Sequence, residues 1–141
     1  MRLLASLLAA AVLAQGQSKF SGTPLGLDAY MPVPDDNPLT ADRVALGRKL
    51  FFDTRLSRNQ TVACASCHDL KRAFTDGRPV AEGVFGRQGT RSAPTLVNRG
   101  YGASHFWDGR ARTLEDQVLK PIQDPNEMDM TLEEEIGRAH V

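Results

Sequence analysis

Several things are scarce or missing in this sequence, and each absence removes a class of protein. There are only two cysteines, so at most one disulfide can form and a disulfide-stapled miniprotein is excluded. Neither charge sign is in excess: 17 basic and 17 acidic residues, with no block of like charges, argue against a nucleic-acid partner. The long apolar run, Leu3 to Ala14, is too short to cross a bilayer, so stable membrane insertion is not expected. No internal repeat is visible, and no segment alternates apolar and polar residues as a half-buried strand would. Apolar content of 41% with 24% charge belongs to an ordinary globular chain, and 141 residues suffice for one modest domain. What survives these exclusions is a mainly α domain with long irregular loops.

The N-terminus has the three parts of a secretory signal: Met1-Arg2 as a positive start, an apolar run from Leu3, and the small-residue exit Val12-Leu13-Ala14. Residues 1–16 are read as that signal, with cleavage expected between Ala14 and Gly16 and an uncleaved anchor as the alternative. Residues 17–38 form a Pro-rich arm, where Pro24, Pro32, Pro34 and Pro38 remove backbone donors and favour extended surface chain. From Thr40 the pattern changes. Thr40 can cap, Asp42 suits a first turn, and Val44, Gly47, Leu50 and Phe51 recur at helical spacing, which predicts a helix ending near Phe52-Asp53.

Between Phe74 and Arg99, Gly77, Gly83, Gly86 and Gly89 with Pro79 and Pro94 predict a long loop. A loop of that length in a compact domain is usually functional or wrapped over a ligand. Thr113-Leu114-Glu115-Asp116 resembles a capping box, and Leu114, Gln117 and Val118 share a face, predicting a second helix that Pro121 ends. A third helix starts at Thr131-Leu132-Glu133-Glu134 and barely begins before the sequence stops, as in a chain cut short. Residues 135–141 read as a non-native tail, the translation of a sequencing adapter, in which His140 has no biological meaning.

The chemistry sits at Cys64-Ala65-Ser66-Cys67-His68, on a short segment suited to a helical turn that turns two sulfurs and an imidazole to one side. Two thiols at this spacing can each add to a vinyl group of one porphyrin, with the adjacent histidine beneath the iron. That is covalent haem c with His68 as axial metal ligand. Three other readings compete. A disulfide between Cys64 and Cys67 leaves His68 unexplained. A zinc site lacks a fourth ligand, His105 being alone and distant in sequence. A thioredoxin-like dithiol needs a strand before it and a helix after it, in a βαβ pattern that is absent. Haem alone does not define an activity, because a one-haem electron carrier has both iron faces ligated, and Met31, Met128 and Met130 are available as sixth ligands.

Several further stretches then follow in order: Leu46-Gly47-Arg48-Lys49-Leu50-Phe51-Phe52-Asp53 and Arg55-Leu56-Ser57 before the cysteines, and Phe74-Thr75-Asp76-Gly77 after them. They continue with Gly89-Thr90-Arg91-Ser92-Ala93-Pro94-Thr95-Leu96, Phe106-Trp107-Asp108-Gly109-Arg110-Ala111, and Leu114-Glu115 through Pro121-Ile122 to Glu127-Met128. From Leu39 to Met130 the chain resembles the start of the bacterial di-haem cytochrome c peroxidase and MauG family. The resemblance implies a cytochrome c-like peroxidatic haem domain over residues 39–134, from a two-domain periplasmic enzyme whose C-terminal domain carries a second haem c. Hydrogen peroxide would be reduced to water with electrons from that second haem, supplied by a small cytochrome c or cupredoxin. MauG-like members oxidise a protein side chain instead. A homodimer of the full-length protein is compatible with the resemblance.

The same resemblance implies roles for single residues. His68 would be the proximal ligand, and Trp107 an electron relay between the haems, its plain alternative being core packing. Gln117 would orient peroxide, and Glu127, ten positions on, would act as base and then acid, each being a solvated surface residue in the plain reading. Pro121, four after Gln117, belongs to the same cofactor-pocket pattern. Two departures stand out. No histidine lies between Phe74 and Arg91, which implies a haem open in the resting state, with His105 a doubtful substitute. Ser92 replaces an asparagine associated with an inter-domain calcium ion, which weakens calcium as a second metal.

Overall fold

The computed structural model describes Met31 and residues 33–139; the expected signal, most of the Pro-rich arm and the last two residues of the tail lie outside the described residues. The described chain is mainly helical: α1 (Ala41–Phe51), α2 (Cys64–Cys67), α3 (Leu114–Gln123) and α4 (Leu132–Ala139). Short 3-10 turns at Thr54–Leu56, Leu70–Arg72, Val84–Gly86 and Arg99–Tyr101 punctuate the rest. Among the described residues extended pairing is limited to isolated bridges, such as His105 with Ala111.

The helix starts follow from their caps. Thr40 Oγ1 accepts from Arg43 N at 3.3 Å at the head of α1, and Thr113 Oγ1 accepts from Asp116 N at 3.1 Å at the head of α3. At α4 the capping is reciprocal: Glu134 N donates to Thr131 Oγ1 at 3.2 Å, and Thr131 N to Glu134 Oε2 at 3.0 Å.

One boundary differs from the sequence reading. Pro121 does not end α3, which continues through it to Gln123. The proline removes the N–H that would have bonded the Gln117 carbonyl, but this falls in the last turn, where few helix bonds remain to lose. Later groups then hold that turn. Asp124 N donates to the Lys120 carbonyl at 2.9 Å, while the carbonyls of Pro121 and Ile122 accept from Met128 N at 3.1 Å and Met130 N at 2.9 Å. The helix end is thus tied to the segment carrying Glu127.

Among the described residues the buried apolar side chains are small or flexible: Ala63, Val84, Ala93, Ala111, Met128 and Met130. Larger ones that helical periodicity would send inward, including Leu50, Leu114 and Val118, stay exposed. Side chains from distant segments line a central cavity instead.

The long loop predicted after Phe74 is present and is anchored at Gly83. A Cβ built there would lie 2.2 Å from the Asn126 carbonyl oxygen and 2.4 Å from that of Glu127, and the adjacent Val84 N donates to Glu127 O at 2.8 Å. This glycine is required by space rather than by backbone angle. Gly83→Ala is therefore expected to push the 126–127 backbone away and lower the thermal midpoint by several degrees, the cost of an overpacked contact of about 1–3 kcal/mol. A midpoint equal to that of the parent in a thermal melt would contradict this close approach.

Candidate functional site

The two thiols and the imidazole are presented by α2 and the residue after it. Ala63 N donates to Ser66 Oγ at 3.0 Å, closing the start of the turn, and His68 N donates to the Cys64 carbonyl at 2.9 Å, closing its end. The His68 ring is then oriented by one bond, between Nδ1 and the Phe74 carbonyl at 3.0 Å. Since a carbonyl can only accept, Nδ1 carries the proton and Nε2 keeps its lone pair, the form in which an imidazole binds a metal.

Aiming that carbonyl requires an uncommon backbone. Ala73 and Phe74 sit consecutively in the left-handed region, at φ 53° and 59°. The Asp69 carbonyl accepts from both Arg72 N at 3.0 Å and Phe74 N at 2.8 Å, and Thr95 Oγ1 donates to the Ala73 carbonyl at 2.5 Å. These bonds hold a turn whose own conformational preference opposes it.

Both cysteines are free and half-buried. Burial raises the Cys64 thiol, and burial reinforced by the Asp76 and Glu127 carboxylates pushes Cys67 up to about 11. A redox dithiol needs a depressed thiol pKa, so this environment is the reverse of the one the thioredoxin-like reading requires.

An open cavity of roughly 370 Å³ gathers residues far apart in the chain: Cys67, His68, Trp107, Gln117, Pro121 and Glu127 all line it. Cys64 stands behind them in the same turn and is not part of the lining. The volume lies within the range of small-molecule and cofactor sites, about 300–1,000 Å³. Glu127 is half-buried, and burial, with Asp124 nearby, raises its pKa above the ordinary 4.5, while Arg110 pulls the other way. Trp107 is 63% exposed, so the core-packing reading of it does not hold. Its indole N–H donates to the Ser92 carbonyl at 2.9 Å. The Trp107 turn is closed by His105 N donating to the Ala111 carbonyl at 2.8 Å, with Phe106 and Gly109 both at positive φ.

The three methionines offered as sixth ligands lie elsewhere. Met128 and Met130 are buried away from the cavity, and the Met31 sulfur packs at Gly100, 3.0 Å from where a Cβ would stand. His105, remote from the cysteine motif in sequence, does line the cavity and is 4% exposed. Burial, and then the Arg99 charge, lower its pKa. The Phe74 carbonyl and Arg99 are site features that sequence reasoning missed, while Gly83 was read only as a loop glycine and His105 only as a doubtful substitute ligand. The glycines at 77 and 83 were the available signals for the loop, but nothing in residue type announces a carbonyl aimed at a histidine.

The donor set fits a covalent haem. Two reduced thiols, an imidazole with its free nitrogen fixed by a backbone acceptor, and a cavity walled by apolar and polar groups are what such a group requires.

Comparison with known proteins agrees. The profile of a family described as di-haem cytochrome c peroxidase matches residues 41–140. The chain is 44% identical over 103 residues to the methylamine utilization protein MauG of Methylorubrum extorquens, covering 73% of this chain and 29% of that protein. It is also 44% identical over 101 residues to the cytochrome c peroxidase Ccp of Escherichia coli, covering 72% of this chain and 22% of that one. Among solved structures, a MauG-like protein associated with microbial copper homeostasis superposes with a TM-score of 0.70 at 40% identity, over 80% of this chain and 34% of the other. The diheme peroxidase BthA of Burkholderia thailandensis gives 0.63 at 33% identity, over 78% and 31%. The chain therefore spans a third or less of the length of most of these relatives. Its architecture is the mainly helical, cytochrome c-like one of those structures. With its motif, cavity and similarities in agreement, the chain belongs to the di-haem cytochrome c peroxidase family.

Proposed function

We propose that this chain is the peroxide-handling domain of a periplasmic haem c peroxidase that reduces hydrogen peroxide to water. The observation that carries the reading is the single cavity joining the Cys67-His68 turn to Gln117, Pro121 and Glu127, from segments some fifty residues apart. Cys64 and Cys67 would hold the porphyrin by thioether links, and His68 would bind its iron through Nε2. When bound, the group supplies the electron-accepting and electron-donating centre that peroxide reduction needs.

The protein's own residues manage protons and orientation. Gln117 would hold peroxide through its side-chain amide, a donor and acceptor at once. Glu127 would take the proton from one peroxide oxygen and return it to the other, so that the O–O bond breaks with water as leaving group. Two protons and two electrons complete the conversion to a second water. A carboxyl group whose pKa is raised by burial suits this exchange better than an ordinary surface glutamate, because it holds a proton more firmly and is the stronger base once ionised.

Trp107, exposed and tethered to Ser92, would pass electrons in from a second haem c in another domain, itself reduced by a small cytochrome c or cupredoxin. In the full-length protein, Trp107→Phe is expected to lose most steady-state turnover with an external donor while keeping the first reaction with peroxide. Equal steady-state rates for parent and variant would remove Trp107 from the path. Calcium between the domains, and a homodimer, belong to the same proposal; the Ser92 carbonyl is already engaged by Trp107.

A one-haem electron carrier is the principal alternative, and a MauG-like oxidase of a protein side chain the second. All three methionines lie off the cavity, which favours an iron face that is free to meet an oxidant over the carrier. Ferric spectroscopy tests this. A high-spin haem that binds cyanide or peroxide supports the enzyme, and a low-spin, methionine-bound iron overturns it.

A further inference from the structure

Three guanidinium groups line the cavity, and their surroundings differ. Arg91 and Arg110 each pair with Asp108 at 2.9 Å, and hydrogen bonds from Arg110 and then Arg91 hold that carboxyl down to about 2. Arg99 has no carboxylate within ion-pair distance among the described residues. It is half-buried, its Nη2 donates to the Ser104 carbonyl, and the same nitrogen faces His105 Nδ1 at 3.4 Å.

A guanidinium does not release its charge, so half-burial without a counter-ion is unfavourable unless an anion arrives. His105 cannot be that anion. With Nδ1 accepting from Arg99, the His105 proton lies on Nε2, so the pair offers the cavity donors only. Room for the guanidinium is built in: a Cβ at Gly102 would stand 3.0 Å from Arg99 Nη2. The complement of a planar fork of donors is a group with two oxygens, a carboxylate.

We propose that Arg99, braced by His105 and the Ser104 carbonyl, is the counter-ion for a carboxylate of the porphyrin cofactor. The inference rests on the haem reading above and deepens it by assigning the part of the cavity that receives the cofactor's acidic edge. Removing that positive charge leaves the cofactor carboxylate uncompensated, which favours ferric over ferrous iron and lowers the midpoint potential.

The test compares Arg99→Gln, which keeps hydrogen-bond donors but no charge, with Arg99→Lys, which keeps the charge, both in the haem-loaded chain. Redox titration is expected to show a lowered potential for Gln and a near-parental one for Lys. A parental potential in the Gln variant, or equal falls in both, overturns the assignment, because donors or loop shape would then matter rather than charge. Should the Gln protein not accumulate, the resonance-Raman propionate-bending band of the parent and the Lys variant decides instead. A band that moves supports the contact, and one that does not move refutes it. Pigment that survives denaturation and acid–acetone extraction is checked in each protein, so failure of covalent haem attachment is distinguished from failure of this contact alone.

Discussion

Glu127→Gln is expected to slow peroxide cleavage by roughly 10²- to 10⁴-fold, the range of a lost general acid–base group, while leaving cofactor attachment intact. The substitution keeps shape and hydrogen bonding but can neither take up nor release the peroxide proton. The pH profile supplies a second, sharper readout. Burial raises the Glu127 pKa, so the group is protonated at low pH and cannot act as a base there. Cleavage by the parent should accelerate as pH climbs through a value above the ordinary 4.5, and in the Gln variant that limb should vanish. Stopped-flow mixing with peroxide measures both. An unchanged rate, or an acid limb that persists in the variant, would take Glu127 out of the mechanism and leave it a partly buried carboxylate of the 124–130 turn.

The second large effect concerns the cysteines. In Cys64→Ala/Cys67→Ala, Soret absorbance after denaturation and acid–acetone extraction should fall to background, because both thioether links are gone. A lower thermal midpoint should accompany the loss. Among the described residues the buried apolar side chains are only alanines, a valine and two methionines. A core that small contributes little by itself, and whatever binds the folded state adds its binding energy to stability. Pigment that resists extraction from the double variant would refute covalent attachment through this motif.

How far these expectations could be read from residue order alone differs from one segment to the next. The α1 start and the Thr113 and Thr131 caps were legible because capping is local: an oxygen reaches an N–H three residues on, whatever the rest of the chain does. The end of α3 was not. Local rules stop a helix at Pro121, yet Met128 and Met130 donate to the carbonyls there, from a turn whose position the local sequence does not determine. The exposure of Trp107 was hidden for the same reason. A lone large aromatic is commonly buried, but Phe106 and Gly109 turn the chain so that the indole stands out and reaches Ser92.

Residue order by itself determined the candidate attachment motif, because Cys64, Cys67 and His68 are neighbours whose spacing survives any fold that forms one helical turn there. It also determined the mainly helical character, through caps and periodicity that operate over a few residues. Only the tertiary structure decided which proton His68 keeps, since that depends on a carbonyl six residues away held in a left-handed turn. It alone brought Gln117, Glu127, Arg99 and His105 around one cavity, because a wall built from separate segments exists only once the loops have closed.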